Sequence, residues 1–209
     1  MNENSVLLCS GGMDSTTLAY WMIEKHIDFI PLFINYGQHC LHTEVTTLLE
    51  VIPNKLKERI QIINISQVYR DSKSCLIKEP DLWNDVITDK DFFLPYRNLL
   101  LMTVGAAFAQ SNNCSFLYAA FINSNHAKEI DCSTRFFKDL SEVLKDYGTV
   151  NIKLPFRDLS KFEVAKLGIL LKAPIGKTFS CQASAVVPCG ACPNCVDRLD
   201  ALKHFTSNN

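Results

Sequence analysis

Charge excess is the first thing this sequence does not have. Its 21 lysines and arginines face 22 aspartates and glutamates, a formal net charge of -1. A surface built for nucleic acid shows as basic excess, so a large electrostatic nucleic-acid surface is not expected, and only a local basic patch stays open. Long apolar runs are missing too: no stretch approaches the roughly 18 apolar residues of a membrane span. The N-terminal string MNENSVLLCSGG has no basic start and too short an apolar run for a secretory signal. The expectation is a cytoplasmic protein with no membrane partner. Internal repeats and low-complexity tracts are absent. What remains is an ordinary globular composition, 47% hydrophobic and 21% charged. Its 209 residues suit one α/β domain with a sizeable core and a small appendage.

Cysteine is plentiful and unevenly placed. Of nine, five are scattered (Cys9, Cys40, Cys75, Cys114, Cys132), and four fall within SCQASAVVPCGACPNC at the end. In a reducing compartment such a cluster points to metal binding or catalysis rather than disulfides. Cys181, Cys189, Cys192 and Cys195 are spaced C-x7-C-x2-C-x2-C. Close Cys-x2-Cys turns joined to a more distant cysteine suit tetrahedral Zn2+, and Gly190 and Pro193 suit the knuckle turns. Four thiolates leave no open coordination position, so the site is expected to be structural and to stiffen one wall of an active site.

Short apolar runs at 5–9, 28–34, 60–65, 116–122 and 150–154 are too continuous for strands with one wet face, and read as strands buried on both faces. Helical patterns lie between them, at 15–26, 40–57, 98–110, 134–147 and 160–171. Pro53 should end or kink the second, and the third is apolar nearly all round, predicting deep packing. Alternating strands and helices predict an α/β fold with a Rossmann-like, doubly wound parallel sheet. Segment 70–94 has weak periodicity and is read as an excursion or flexible loop, a candidate lid. The division expected is an α/β domain over 1–175, with a cysteine-rich segment over 176–209 packed on it.

The string SGGMDS, Ser10 to Ser15, stands between the first strand and the first helix. Glycines there permit positive φ and close approach of a ligand to the backbone. The free N–H groups of the first helical turn, with roughly half a positive charge at the helix end, make an anion site. Ser10, Ser15, Thr16 and Thr17 add hydroxyl donors, and Asp14 is a candidate for holding Mg2+ or capping the helix. The loop is neither GxGxxG nor GxxxxGK[ST], and it has no lysine. Backbone amides and a metal would then carry the phosphate charge.

SGGMDS resembles the PP-loop of the ATP pyrophosphatases, SGGxDS, at every specified position. Paired with the terminal cysteines it resembles the 7-cyano-7-deazaguanine synthase (QueC) family over nearly the whole chain. Supporting strings are YGQ at 36–38, LPYRNLLL at 94–101 (family V-P-G-R-N), DC at 131–132 (family Y-P-D-C), LSKFEV at 159–164 (family L-x-K-x-E) and SCQ…PCGACPNC at 180–195. The resemblance implies the adenine nucleotide alpha hydrolase-like fold. It also implies a carbon–nitrogen ligase that converts 7-carboxy-7-deazaguanine with ammonia and ATP, through the amide, to 7-cyano-7-deazaguanine. ATP, Zn2+ and Mg2+ are the cofactors implied, and a homodimer the assembly.

Carried over by position, Cys9, Ser10, Gly11, Gly12, Met13, Asp14, Ser15, Thr16, Thr17, Leu18 and Ala19 match the ATP loop. Cys181, Cys189, Cys192 and Cys195 match the zinc ligands. Asp14, Arg97 and Lys161 are the catalytic candidates; Glu163 matches the same string as Lys161. Arg97 is suited to clamp a phosphate or carboxylate with paired donors. Tyr36, Gln38, Asn98, Asn125 and Asp131 are the substrate-side candidates.

Departures gather on the substrate side. Asn125 stands for Asp, Glu129–Ile130 for Tyr-Pro, Ala120 for Gly, Gln182 for Tyr, and His39 for the Arg of YGQRH. They imply an alternative: a relative that stops at the amide, or hands the deazaguanine acyl group to a protein or other macromolecular acceptor. Relatives of that kind occur in bacterial defence and modification systems. Transfer RNA thiolation would need a reactive Cys9, Cys40 or Cys132, and no basic RNA-binding module accompanies them. A non-catalytic zinc module leaves the glycine loop without a purpose.

Overall fold

The computed structural model describes residues 4–122 and 132–206. Five strands, β1 (Ser5–Leu8), β2 (Phe29–Asn35), β3 (Gln61–Asn64), β4 (Phe116–Tyr118) and β5 (Asn151–Lys153), form an all-parallel sheet in the order β3-β2-β1-β4-β5. The helices are α1 (Met13–Glu24), α2 (Leu41–Val51), the single turn α3 (Asn54–Lys57), α4 (Arg97–Ser111), α5 (Thr134–Tyr147), α6 (Lys161–Leu170) and α7 (Pro193–Thr206).

Side chains alternate across a strand, and here both sides are covered. Leu7, Phe29 and Phe33 pack with Leu18 and Met22 of α1, Leu48 of α2 and Val164 of α6. Val6, Leu32 and Ile34 pack on the other face with Met102 and Ala106 of α4 and Phe137 and Leu140 of α5. Each such side chain stabilises the fold by roughly 1.5–3 kcal/mol when fully buried. Double coverage is the physical reason that β1 and β2 read as unbroken apolar runs. The edge strands β3 and β5 are largely exposed, with Ile62 at the surface, so the expectation of burial on both faces fails for them.

Pro31 sits inside β2, where a missing N–H should cost a ladder bond. Asp28 and Leu32 carbonyls accept from β1-side amides (Ser5 and Cys9) and Asn35 accepts from Ile65, so odd residues of β2 face β3. The β2–β3 register begins only at Leu32. Pro31 therefore points just beyond the end of β3, and no bond is lost.

Three helical expectations are sharpened or corrected. The pattern over 40–57 is two helices, divided at the Pro53 expected to end or kink it: α2 ends at Val51, Ile52 is extended before Pro53, and α3 restarts at Asn54. Helix α4 is buried on one face only, through Asn98, Met102, Gly105, Ala106 and Ala109, while Leu99, Thr103 and Ala107 are exposed. The stretch 89–111 is long and apolar enough to span a membrane by composition, with mean hydropathy 1.3. It is interrupted at 93–96, and α4 packs on the sheet. Helix α7 was hidden inside the cysteine-rich segment. Its buried side is small, Ala201 with half-buried Leu202 and Phe205, whereas Val196 and Leu199 face solvent.

From β1 the chain runs outward to β3, then returns to β4 on the other side of β1. The loops leaving β1 and β4 part at this reversal and open a crevice at the carboxyl ends of the strands, where ligands bind in open α/β sheets.

Candidate active site

The loop after β1 occupies that crevice. Gly11 has φ +73, and a Cβ there would stand 2.9 Å from both the Glu44 carbonyl and the Leu48 amide of α2, so only glycine fits. Gly12 is extended, with φ -74, and precedes the first turn of α1. Ser10 and Ser15 hold the bend: the Ser10 hydroxyl accepts from the Gly12 amide at 3.3 Å, and the Ser15 hydroxyl donates to the Gly12 carbonyl at 3.2 Å. The lysine missing from the loop arrives from α6. Lys161 Nζ donates to Asp14 Oδ2 at 2.7 Å, with the two side chains only 16% and 23% exposed. Asp14 Oδ1 is buried and has no partner among the described residues, which fits a bound cation.

Lys161 is placed by the Ser160–Glu163 capping box. The Ser160 amide donates to Glu163 Oε2 at 2.7 Å, and the Glu163 amide donates to the Ser160 hydroxyl at 3.3 Å. The matching lysine and glutamate of LSKFEV thus part in role: Lys161 faces the cavity, and Glu163 starts the helix.

The cavity has a volume of about 290 Å3. Cys9, Ser10, Gly12, Met13, Asp14 and Ser15 border it, with Lys161. Tyr36, Gln38, Arg97 and Asn98 border it too, from the β2–α2 loop and the start of α4. Gly11, Thr16, Thr17, Leu18 and Ala19 do not. Gly11 lies against α2, Thr17 packs against Gly168 of α6, and Leu18 and Ala19 belong to the core. Asn125 and Asp131 lie outside the described residues. Asn98 is buried and donates through Nδ2 to Cys132 Sγ at 2.8 Å. Tyr96, standing for the family's glycine, adopts φ 60 just before Arg97.

Among the further side chains that line the cavity are His39, Glu44, Leu76 and Ser180. Gln38 Nε2 donates to Glu44 Oε2 at 2.9 Å, and Gln38 Oε1 accepts from the Tyr36 amide at 2.9 Å. Burial pushes the Glu44 carboxyl above the usual carboxylate range, although Gln38 and the Arg97 charge oppose the shift. Burial likewise raises the Tyr36 phenol. An acidic residue in the first turn of the helix after YGQ was the available signal for Glu44. Leu76 comes from the 70–94 excursion, whose backbone is tied to the rim by the His39 amide donating to the Leu76 carbonyl at 3.0 Å. That excursion exposes Trp83 and Val86 at its middle.

The Cys9 and Cys40 thiols are not poised for attack. Burial raises the Cys9 thiol, and pushes that of Cys40 up to about 12. Both stay protonated at neutral pH, so neither suits sulfur transfer.

The Sγ atoms of Cys181, Cys189, Cys192 and Cys195 lie within 4.8 Å of one another. Four Zn–S bonds of about 2.3 Å in a tetrahedron bring sulfurs to about 3.8 Å, so the donor set fits zinc with slight contraction. Amides already point at the sulfurs: Ser184 and Cys189 donate to Cys181, and Ala191 and Cys192 to Cys189, at 3.2–3.4 Å. Gly190, at φ +74, makes the knuckle turn. Pro193 opens α7, where its missing N–H costs nothing. The loop is bolted to the cavity. The Phe179 amide donates to the Gly11 carbonyl at 3.2 Å, His39 Nε2 donates to the Gln182 carbonyl at 2.9 Å, and the Ala185 amide donates to Glu79 at 2.7 Å. Thr43 donates to the Ala185 carbonyl. Phe179, Ser180, Cys181 and Gln182 therefore form one wall.

A parallel sheet in this order, with a glycine-turn anion seat at its reversal, defines a PP-loop, adenine nucleotide alpha hydrolase-like protein. Solved structures of that fold agree. An NMN synthetase from Francisella tularensis matches with TM-score 0.51 and 20% identity, over 87% of this chain and 68% of its own. A 4-thiouridine synthetase, solved with RNA and bound ATP, matches with TM-score 0.58 and 15% identity, over 98% of this chain and 50% of its own. The chain belongs to the family of queuosine biosynthesis protein QueC, whose model matches residues 4–206. It is similar to the 7-cyano-7-deazaguanine synthases of Hahella chejuensis (28% identity, 96% of this chain and 88% of that protein) and Methanospirillum hungatei (29%, 96% and 95%).

Proposed function

We propose that this protein is an ATP-dependent carbon–nitrogen ligase that turns 7-carboxy-7-deazaguanine into 7-cyano-7-deazaguanine. The observation that carries the reading is the Asp14–Lys161 pair, set into a lysine-free glycine turn and facing the cavity. Membership of the QueC family and the names of the similar synthases support the substrate.

The substrate carboxylate attacks the α phosphorus of ATP, the bond to the bridging oxygen breaks, and pyrophosphate leaves. Ammonia attacks the acyl adenylate and expels AMP and a proton, giving the amide. The amide oxygen attacks the α phosphorus of a second ATP, pyrophosphate leaves again, and loss of AMP and the two remaining amide protons leaves the nitrile. This chain's part is to hold charge. The Ser10–Ser15 loop and the first-turn amides of α1 receive the departing pyrophosphate, and Lys161 offsets its charge. Arg97 orients phosphate or carboxylate. Bound Mg2+ would neutralise phosphate charge, with Asp14 as its holder. Zinc on the four cysteines would cross-link the cavity wall. The segment 176–209 acts as a fixture of the α/β domain 1–175, the enzyme works in the cytoplasm, and its assembly is a homodimer.

Three of the departures from the family pattern, His39, Ala120 and Gln182, border the cavity. They favour a second reading, in which activation is the same and the acceptor differs: the amide is the final product, or a protein takes the acyl group. Purified protein with ATP, Mg2+, ammonium and 7-carboxy-7-deazaguanine tests both by mass of the products. Nitrile over many turnovers is the expected outcome. Amide or acyl adenylate alone would replace the first reading with the second, and no AMP at all would end both.

A further inference from the structure

We propose that Ser180, the residue before the first cysteine of the cluster, donates its hydroxyl to a phosphate oxygen seated in the Ser10–Ser15 loop. The proposal rests on reading that loop as a nucleotide phosphate seat.

Ser180 lines the cavity, yet its Oγ is buried and has no hydrogen-bond partner among the described residues. A buried hydroxyl left unpaired costs stability, so it calls for a partner that arrives from outside. Its position says which. The Oγ lies 4.0 Å from where a Cβ on Gly12 would stand, and the Ser10 hydroxyl lies 3.2 Å from the same point. Two hydroxyls from opposite ends of the chain thus flank this side of Gly12, with the Phe179 carbonyl oxygen 3.6 Å from the same point. That side is where an anion would approach the first-turn amides of α1.

Ser180 is also held there from both directions. On its N-terminal side the Phe179 amide is bonded to the Gly11 carbonyl of the loop itself. On its C-terminal side the Cys181 sulfur accepts two amides of the cysteine loop, and the Cys40 thiol donates to the Cys181 carbonyl at 3.6 Å. A hydroxyl fixed on both sides is pre-placed for a ligand at little entropic cost. The cysteine loop then contributes to the chemistry as well as to the wall: it delivers a phosphate donor.

Calorimetric titration of the full-length, zinc-loaded protein with inorganic pyrophosphate, and separately with AMP, tests this. Ser180→Ala should weaken pyrophosphate about tenfold, roughly 1.4 kcal/mol, with AMP affinity within twofold of wild type and zinc content unchanged. Ser180→Gly should give the same split. Unchanged pyrophosphate affinity in the variants, or equal loss for both ligands, overturns the proposal and leaves the loop reading standing. Failure of wild type to bind pyrophosphate overturns both.

Discussion

Lys161 and Asp14 meet through one 2.7 Å contact that is mostly shielded from water, and electrostatic contacts gain strength in such places. Replacing Lys161 with Met removes the charge while keeping much of the stem. AMP formation should fall by roughly 10^2–10^3-fold, the scale of losing one stabilising donor in a catalytic site. The thermal midpoint should drop as well, because Asp14 is left shielded and without its cation. Near-normal turnover in this variant would remove Lys161 from the chemistry. Glu44 gives a prediction of a different kind. Its folded pKa is raised by burial, so the stability it contributes is present below the ordinary glutamate pKa. That stability is lost as pH rises through the folded value. Glu44→Gln stays neutral and keeps an acceptor for Gln38. Urea midpoints across acidic to neutral pH should show the variant gaining on wild type as pH rises; a flat or shrinking gap would contradict the shift.

Among the elements, the cysteine loop and the helices around it decide the shape of the cavity. Removing zinc with a chelator should loosen residues 182–192 first, because their amides donate to the sulfurs and free thiols repel or drift. Hydrogen exchange of those amides should quicken by about 100-fold or more, while β1 and β2 amides hold. Uniform acceleration across the sheet would mean instead that the metal supports the whole fold. The central strands β1 and β2 were legible because a strand covered on both faces must be apolar throughout, and the loop because SGGMDS leaves few other conformations. What could not be read was contact across the chain. Nothing in the spacing of LSKFEV says that Lys161 reaches the loop while Glu163 caps a helix, and nothing in SCQ says that Ser180 turns toward Gly12. Helix α7 escaped because its buried stripe is mostly alanine and cysteine, too small to show as periodicity. Tyr96 is a local conflict: a left-handed residue without a glycine, tolerated because it stands exposed before α4.

On the scale of the whole molecule, α7 closes one end by packing Ala201 and its neighbours against Met13, Ala165 and Ile175, so the last helix shares a core with the helix that carries the glycine loop. Exposed apolar residues include Val196 and Leu199 on the outer face of α7 itself, Leu99 on α4, and Trp83 and Val86. For the homodimer proposed above, sedimentation should give a species of twice the 23.6 kDa chain mass; a stable species of single mass at micromolar concentration would exclude it.

The Asp14–Lys161 pair spans 147 residues of chain, and this separation has a temporal meaning. A ribosome delivers the glycine turn within the first moments of synthesis, but its cation only after about three-quarters of the polypeptide has emerged. Until then the Asp14 carboxylate lacks its lysine, so the charge balance at the glycine turn is completed only when α6 folds back across α1.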